Sequence, residues 1–345
     1  MTRSRATRIV LLGGGHAHAL VLLRFRDFVS KNLEVLLVSP GPQHTYSGMV
    51  PGVIAGHYAP PEAQIDLARL ARGAGAGLLQ AQAVAIDTSD KQVVLADGSS
   101  VGYDILSLDV GSVPEGAAPG AIAVKPFDQF FSHWQAVLEA RSAPRIAVVG
   151  AGAGGVELAM AMKFALDQRA GGSVELFSDR LALAPALAQR AVRALEGLSI
   201  PLRLGESPGA GFDATFWVTG ASALPMLREG GLQTDARGFV LVDAALRSVS
   251  HPDVFAAGDC ASLEGRPLPK SGVYAVRQAP ILARNLKRVV RGMPMLDYRP
   301  QRQSLALLSC GAKYAIASRG AWSAEGRWAW RWKDWLDRRW IAKFS

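Results

Sequence analysis

Two glycine-rich turns decide what this chain can fold into. Gly13-Gly14-Gly15 follows the apolar run Ile9-Val10-Leu11-Leu12, and Gly150-Ala151-Gly152-Ala153-Gly154-Gly155 follows Ile146-Ala147-Val148-Val149. In each case an apolar strand enters a turn whose missing side chains let backbone N–H groups reach a pyrophosphate. A helix begins just beyond, with its positive dipole end toward the same anion. The chain therefore has the means to hold two dinucleotides. A third signal, Val254-Phe255-Ala256-Ala257-Gly258-Asp259-Cys260-Ala261, reads as a strand running into a tight turn with a carboxylate at its tip.

Leu33 to Val38 is a second apolar run that makes the first forty residues a βαβ unit. Residues 78 to 110 read as short strands with a turn at Asp97-Gly98, a meander returning to the first sheet. Phe127, Phe130, Phe131, Trp134, Val137 and Leu138 recur at helical spacing, and Pro144 then breaks the chain before a second βαβ unit. That unit passes through Val174-Glu175-Leu176-Phe177 and reaches Phe216-Trp217-Val218-Thr219-Gly220. A helix from about Gly272 to Val290 belongs with the late aspartate turn. The expected fold class is α/β, with two Rossmann-like domains, the second inserted in the first. Residues 1–124 and 245–298 would form one, residues 125–244 the other, and residues 299–345 a C-terminal interface segment or tail.

With 49% hydrophobic and 19% charged residues in 345, the chain is folded and not disordered. Thirty-eight Lys and Arg against 29 Asp and Glu leave +9, which favours anionic partners without choosing among dinucleotides, nucleic acid and an acidic membrane. Only Cys260 and Cys310 are present, which removes a disulfide framework or Cys-rich metal site and points to a reducing, cytoplasmic compartment. The basic start from Met1 to Arg8 and the apolar stretch after it suit a strand, turn and helix better than a secretory leader. No eighteen apolar residues run uninterrupted. His16 and His18, two positions apart, point to different helix faces, so helix-start packing is expected and no metal site.

The two turns differ in completeness. At the third glycine position of the first stands His18, and Val38 is followed by Ser39 and Pro40 where a ribose-binding acid is usual. The second has Gly150, Gly152 and Gly155 in full. Its following strand ends Phe177-Ser178-Asp179-Arg180, leaving two readings open: Asp179 on the ribose hydroxyls of NADH, or Ser178 with Arg180 on the 2′-phosphate of NADPH.

These residues resemble the large family of flavoproteins with two dinucleotide-binding domains, the pyridine nucleotide-disulfide oxidoreductases and type II NADH dehydrogenases. Gly13-Gly14-Gly15-His16-Ala17-His18, the stretch from Tyr46 to Gly56, and the stretch from Pro269 to Gln278 look like the oxidoreductase unit that precedes selenophosphate synthetase in fused proteins. The resemblance implies FAD in the first site, at Gly13, Gly15, His16, Ala17, His18, Ser39, Pro40, Gly48, Met49, Val84, Asp109, Gly111, Gly258, Asp259, Gly272, Val273 and Tyr274. It implies NAD(P)H in the second, at Gly150, Gly152, Gly154, Gly155, Glu157, Ser178, Arg180 and Gly220. Val84 would meet the adenine through its backbone, Asp259 the ribityl chain, and Gly48 and Met49 the flavin ring. The helix from Gly272 would aim its dipole at the flavin pyrimidine edge, and Lys270, the one candidate catalytic side chain, would add positive charge there.

The implied activity is FAD-dependent NAD(P)H oxidation, with electrons passed to a quinone, a selenium or sulfur compound, or oxygen. Two departures matter. Val273 stands where type II NADH dehydrogenases carry a quinone-motif glutamine, and the stretch between Leu204 and Phe216 is short. No adjacent cysteine pair is offered for disulfide chemistry. The alternatives are a flavoprotein oxidising sulfur or selenium species with a vestigial nicotinamide site, or a flavin-bearing docking module.

The tail from 322 to 345 mixes tryptophans with Arg327, Arg331, Lys333, Arg338, Arg339 and Lys343, and Trp328, Trp332, Trp335 and Leu336 fall on one helical stripe. The stripe is expected to pack on the protein's own domain or on a partner such as a second copy. The alternative is an anionic membrane, which would make the protein peripheral on an inner membrane face. Charge and aromatics also suit nucleic acid, but no groove-reading motif accompanies them, and none is expected as a partner.

Overall fold

The computed structural model describes residues 6–26, 28–30, 32–116 and 120–345; the basic Met1–Arg5 stretch weighed as a leader lies outside the described residues. The expected α/β class holds. Strands β1 (Thr7–Leu12), β2 (Leu33–Ser39), β3 (Gly77–Gln80) and β4 (Ile105–Leu108) belong to one parallel sheet. Its central strand is apolar without alternation, Ile9 to Leu12 being fully buried, because a parallel sheet is covered on both faces. Helix α1 (His16–Phe25) leaves β1 through the first glycine turn. The meander of Ala83–Asp87, Gln92–Leu95 and Ser100–Gly102 turns at Gly98, whose φ of +83° is glycine's own region.

A second parallel sheet uses β5 (Ile122–Ala123), β6 (Arg145–Val149), β7 (Ser173–Ser178), β8 (Leu202–Leu204) and β9 (Ala214–Trp217), in the order β5-β9-β6-β7-β8. Helix α2 (Phe127–Ala140) covers it with Phe130, Trp134 and Leu138, four residues apart, so one apolar stripe meets Phe216 of β9. Helices α3 (Ala153–Asp167) and α4 (Pro185–Gly197) complete this half. The chain then returns: β10 (Val254–Ala256) adds to the far edge of the first sheet, giving β10-β4-β1-β2-β3, and α5 (Gly272–Val290) packs on α1. Val113–Pro114 pairs antiparallel with Ala221–Ser222 where the two halves meet.

The tail has more structure than a single helix. β11 (Ala306–Ser309), β12 (Ala315–Arg319) and β13 (Trp322–Gly326) form an antiparallel sheet, and α6 (Arg327–Ile341) follows. Own-domain packing of the tryptophan stripe is overturned. Trp328, Trp332 and Trp335 are 47%, 38% and 52% exposed, while Ala329, Lys333, Asp337 and Trp340 are buried at four- and three-residue spacing. The inward face is polar because its groups are matched. The Lys333 ammonium donates to the Gly48 carbonyl (2.6 Å) and to Asp337 Oδ2 (2.8 Å), the Tyr46 hydroxyl donates to Asp337 Oδ1 (3.1 Å), and the Tyr58 hydroxyl donates to Asp334 Oδ1 (2.7 Å).

Candidate functional site

One cavity of about 1940 Å³ runs between the carboxyl ends of the two sheets. It is roughly twice the upper size usual for a single small-ligand pocket, which is room for more than one ligand. Both glycine turns line it.

At the first turn Gly13 adopts φ +93°, and a Cβ there would stand 2.4 Å from the Asp109 carbonyl oxygen. The buried Asp109 carboxylate accepts from the N–H groups of Ala17 (2.8 Å) and His18 (3.0 Å) and so caps α1 from 92 positions away. Burial pushes its pKa up to about 7, against the two N–H bonds that favour the ionised form. His18 donates from Nδ1 to the Gly13 carbonyl (2.6 Å), since that oxygen only accepts, which leaves Nε2 to accept from the Ser107 hydroxyl (2.8 Å). Burial holds His18 down to about 4, so it is neutral.

Two expectations are corrected here: Ala17 and His18 do not face the cavity, because Asp109 takes their N–H groups. Gly13, Gly14, Gly15 and His16 do line it, with Ser39, Pro40, Asp109 and Gly111. Among the described residues the N–H groups of Gly14 and Gly15 have no acceptor within the protein.

Around this turn the expected residues divide. Gly48, Asp259, Gly272 and Val273 line the cavity. Met49 instead turns inward against Tyr58 and Ala63, Gly258 is buried against Asp109, and Tyr274 is not among the residues that line it. Val84 is half exposed outside the cavity, whose wall is made by its neighbours Ala81, Gln82 and Ala83. Asp259 Oδ2 accepts from Lys125 Nζ (3.2 Å) and the Ser112 hydroxyl (3.3 Å). Lys270 lines the cavity, but its ammonium donates to the Ala261 carbonyl and lies 3.8 Å from the Phe239 ring centroid, and burial lowers its pKa.

At the second turn Gly150 has φ +115°, and a Cβ would fall 2.5 Å from the Val218 carbonyl oxygen. Gly155 is set by helix-to-strand contact: a Cβ would lie 1.7 Å from the Gly150 carbonyl oxygen. It packs and does not line the cavity, another correction. Gly152 has open space, and Gly150, Gly152, Gly154, Ser178, Asp179, Arg180 and Gly220 all line the cavity. The Ser178 hydroxyl donates to the Arg180 carbonyl (2.9 Å). Glu157 also lines it, but one oxygen is taken by the Ser309 N–H of the tail sheet (2.7 Å), and burial raises its pKa while Lys333 opposes.

Sequence reasoning missed a group that the fold assembles beside the first turn. His44 Nε2 lies 3.2 Å from His16 Nδ1, with the rings edge to face. The Trp340 ring of α6 stacks on His16 at 6.4 Å and 27°, and lies 5.9 Å from Tyr46. Burial holds His16 down to about 4 and His44 well below its usual value, with Lys125 adding to both. His16 Nε2 and Trp340 Nε1 are buried without a hydrogen-bond partner, and both residues line the cavity. No local signal marks these residues, because residues 16, 44 and 340 meet only in the fold. Among the described residues no three His, Cys, Asp or Glu gather as a metal site. Cys260 and Cys310 are buried and free, and burial pushes both up to about 12, which leaves them as unreactive thiols.

The chain matches the family described as pyridine nucleotide-disulphide oxidoreductases over residues 7–211 and 210–279. It is 23% identical to the NADH dehydrogenase-like protein YutJ of Bacillus subtilis (strain 168), over 89% of this chain and 91% of that protein. It is 24% identical to the demethylphylloquinone reductase NdbB of Synechocystis, over 90% of this chain and 87% of that one. Among solved structures, the sulfide:quinone oxidoreductase of Aquifex aeolicus superposes with a TM-score of 0.78 at 16% identity, over 98% of this chain and 91% of that one. NDH2 of Plasmodium falciparum, in complex with NADH, gives 0.77 at 15%, over 99% and 98%. The narrower likeness to the unit before selenophosphate synthetase has no counterpart among the relatives named here.

Proposed function

This chain belongs to the pyridine nucleotide-disulphide oxidoreductase family, and from that premise we propose that it is an FAD-dependent NAD(P)H oxidoreductase delivering electrons to a quinone-class acceptor. The observation that carries this reading is one cavity bordered by two glycine turns, with unpaired N–H groups at Gly14 and Gly15 and room for a ligand at Gly152. The residues present fit FAD at the first turn: its pyrophosphate would meet Gly14, Gly15 and the start of α1, and its ribityl chain the Asp259 side. When bound, FAD supplies the two-electron chemistry between nicotinamide and acceptor. The turn from Gly150 to Gly154, with Ser178 and Arg180, would hold and orient the nucleotide.

A quinone-class acceptor is favoured over a sulfur or selenium species by the two buried thiols, which offer no reactive pair for sulfur transfer. Val273, which lines the cavity, brings no amide to that acceptor. No helix of the described residues is long and apolar enough to cross a membrane. We assign the outward tryptophans of α6 to contact with an anionic bilayer surface, with Arg327 and Arg331 beside them.

Anaerobic mixing of purified yellow protein with NADH or NADPH tests the reading. Loss of flavin absorbance within the mixing experiment, restored by a quinone, supports it. Flavin that stays oxidised in both nucleotides overturns it.

A further inference from the structure

We propose that Asp109 takes part in FAD binding as a neutral carboxylic acid, so that loading of the first glycine turn takes up a proton and the cofactor is held more weakly as pH rises above neutrality. This deepens the reading above and rests on its placement of FAD at that turn. Asp109 stands directly after β4, and its carboxylate lies between two glycines: a Cβ on Gly15 would come 2.4 Å from Oδ2, and one on Gly258 would come 2.6 Å from Oδ1. Oδ2 accepts from the N–H groups of Ala17 and His18, and among the described residues Oδ1 accepts from none. The open N–H groups belong to Gly14 and Gly15, just ahead of them in the chain. A pyrophosphate held there shares the start of α1 with the carboxylate. Two anions on one helix end repel strongly when one is out of water. A proton on Oδ1 removes the repulsion and turns that oxygen into a donor.

The second half of the molecule shows that this position needs no acid. The Asp109 N–H donates to the Leu12 carbonyl (2.9 Å), and the Val218 N–H donates to the Val149 carbonyl (2.8 Å), each just ahead of a glycine turn. The backbone oxygens of Asp109 and Val218 also meet the first glycine of their turns alike, 2.4 and 2.5 Å from a Cβ on Gly13 and on Gly150. The two positions are equivalent, and one of them carries an apolar side chain. The acid is therefore a property of the first site alone.

The groups around Asp109 do not neutralise it. Asp259, in the turn after β10, is a second acid, and its Oδ2 already draws on Lys125 and the Ser112 hydroxyl. On α1 the His18 ring is committed to Gly13 and Ser107, and both His16 and His18 are held down to about 4. The Cys260 thiol is pushed up to about 12. From α5 comes the neutral Gln278, whose Oε1 accepts from the Gly258 N–H (2.7 Å). Burial, with Asp259 adding and Lys125 opposing, lifts Asp109 to about 7, and a phosphate beside it lifts it further.

The test uses the full chain. Its affinity for FAD is measured by fluorescence from about pH 6 to about pH 9, and the protons taken up on binding are counted by titration calorimetry in buffers of different ionisation enthalpy. Both are done for the natural protein and for D109N, which keeps an oxygen for the Ala17 and His18 N–H groups and removes the charge. The expected Kd of the natural protein is flat up to about pH 7 and then rises by up to about tenfold per pH unit, with close to one proton taken up per FAD. D109N should show neither the slope nor the uptake, and near about pH 9 it should bind FAD more tightly than the natural protein. A Kd independent of pH in the natural protein overturns the inference, as does a D109N that keeps the slope. Weak binding at every pH by a D109N whose circular dichroism is native overturns it too, since the site would then need the ionised carboxylate. Should D109N fail to fold, the proton count on the natural protein still decides, and no uptake near about pH 8 overturns the inference. Failure of the underlying reading looks different: the chain takes up FAD at no pH, which removes this inference with it.

Discussion

Lys333 of α6 donates to the carbonyl oxygen of Gly48 at 2.6 Å, joining the tail to the segment beside the first glycine turn across 285 positions of sequence. The same ammonium is paired with the buried Asp337 carboxylate at 2.8 Å. Lys333→Met leaves that carboxylate buried without its partner and is expected to cost about 3–5 kcal/mol. The double change Lys333→Met with Asp337→Leu should recover much of the loss. Urea unfolding of the three proteins measures both effects, and a single variant as stable as the parent refutes the pairing.

Asp109 gives stability an opposite pH trend from the neighbouring histidines. It keeps its proton up to about pH 7 when folded but releases it near 4 when unfolded, so its contribution falls as pH rises from about 4 to about 7 and is then flat. His16 and His18, held down to about 4, contribute stability that rises through about 4 to 6.5. The difference in unfolding free energy between the parent and Asp109→Asn should therefore decline across the first window. Asp109→Ala, which strips both N–H groups of their acceptor, should cost about 1–3 kcal/mol or more. A pH-independent difference between parent and Asn variant would contradict this.

The glycines of the second turn should separate into two kinds. Gly155→Ala drives a methyl to 1.7 Å from the Gly150 carbonyl oxygen and should lower the melting temperature by several degrees or prevent folding of that half. Gly152→Ala meets nothing in the protein and should leave melting unchanged while raising KM for the nucleotide, because the methyl enters the ligand's space. Circular dichroism melts with steady-state kinetics distinguish them.

Arg180 stands on the cavity wall beside Ser178 without an acidic partner among the described residues. Arg180→Ala should raise KM for NADPH by about tenfold or more, the loss of a charge-assisted contact to a 2′-phosphate, and change NADH little. Equal effects on both nucleotides would remove the 2′-phosphate role.

For the outward face of α6, replacing Trp328, Trp332 and Trp335 together by Gln should abolish flotation with anionic vesicles and leave the melting temperature within a few degrees. Flotation that persists in the triple variant would move the contact elsewhere.

Much of this architecture was legible because its signals are local. Strand, glycine turn and helix start fall within a dozen residues at Gly150, and α5 begins at the expected Gly272 and ends at the expected Val290. Which backbone groups a ligand meets was not legible. Asp109 reaches Ala17 and His18 from 92 positions away, and a glycine pattern does not say whether a position faces ligand, as Gly152 does, or packs, as Gly155 does. The tail misled for a related reason. Periodicity weighs apolar side chains, and α6 is seated by Lys333 and Asp337, whose burial depends on partners supplied by Gly48 and Tyr46. His16 and Trp340 meet only after both sheets and the tail are in place.

Residues 306–341 grip each half of the molecule: Ser309 binds Glu157 and Arg190 binds Ser323 and Glu325 on one side, while Lys333 and Asp334 bind Gly48 and Tyr58 on the other. Synthesis runs from the amino end, so both sheets emerge from the ribosome before the clasp that sets their spacing. Until that segment is made, the two halves lack all of these ties.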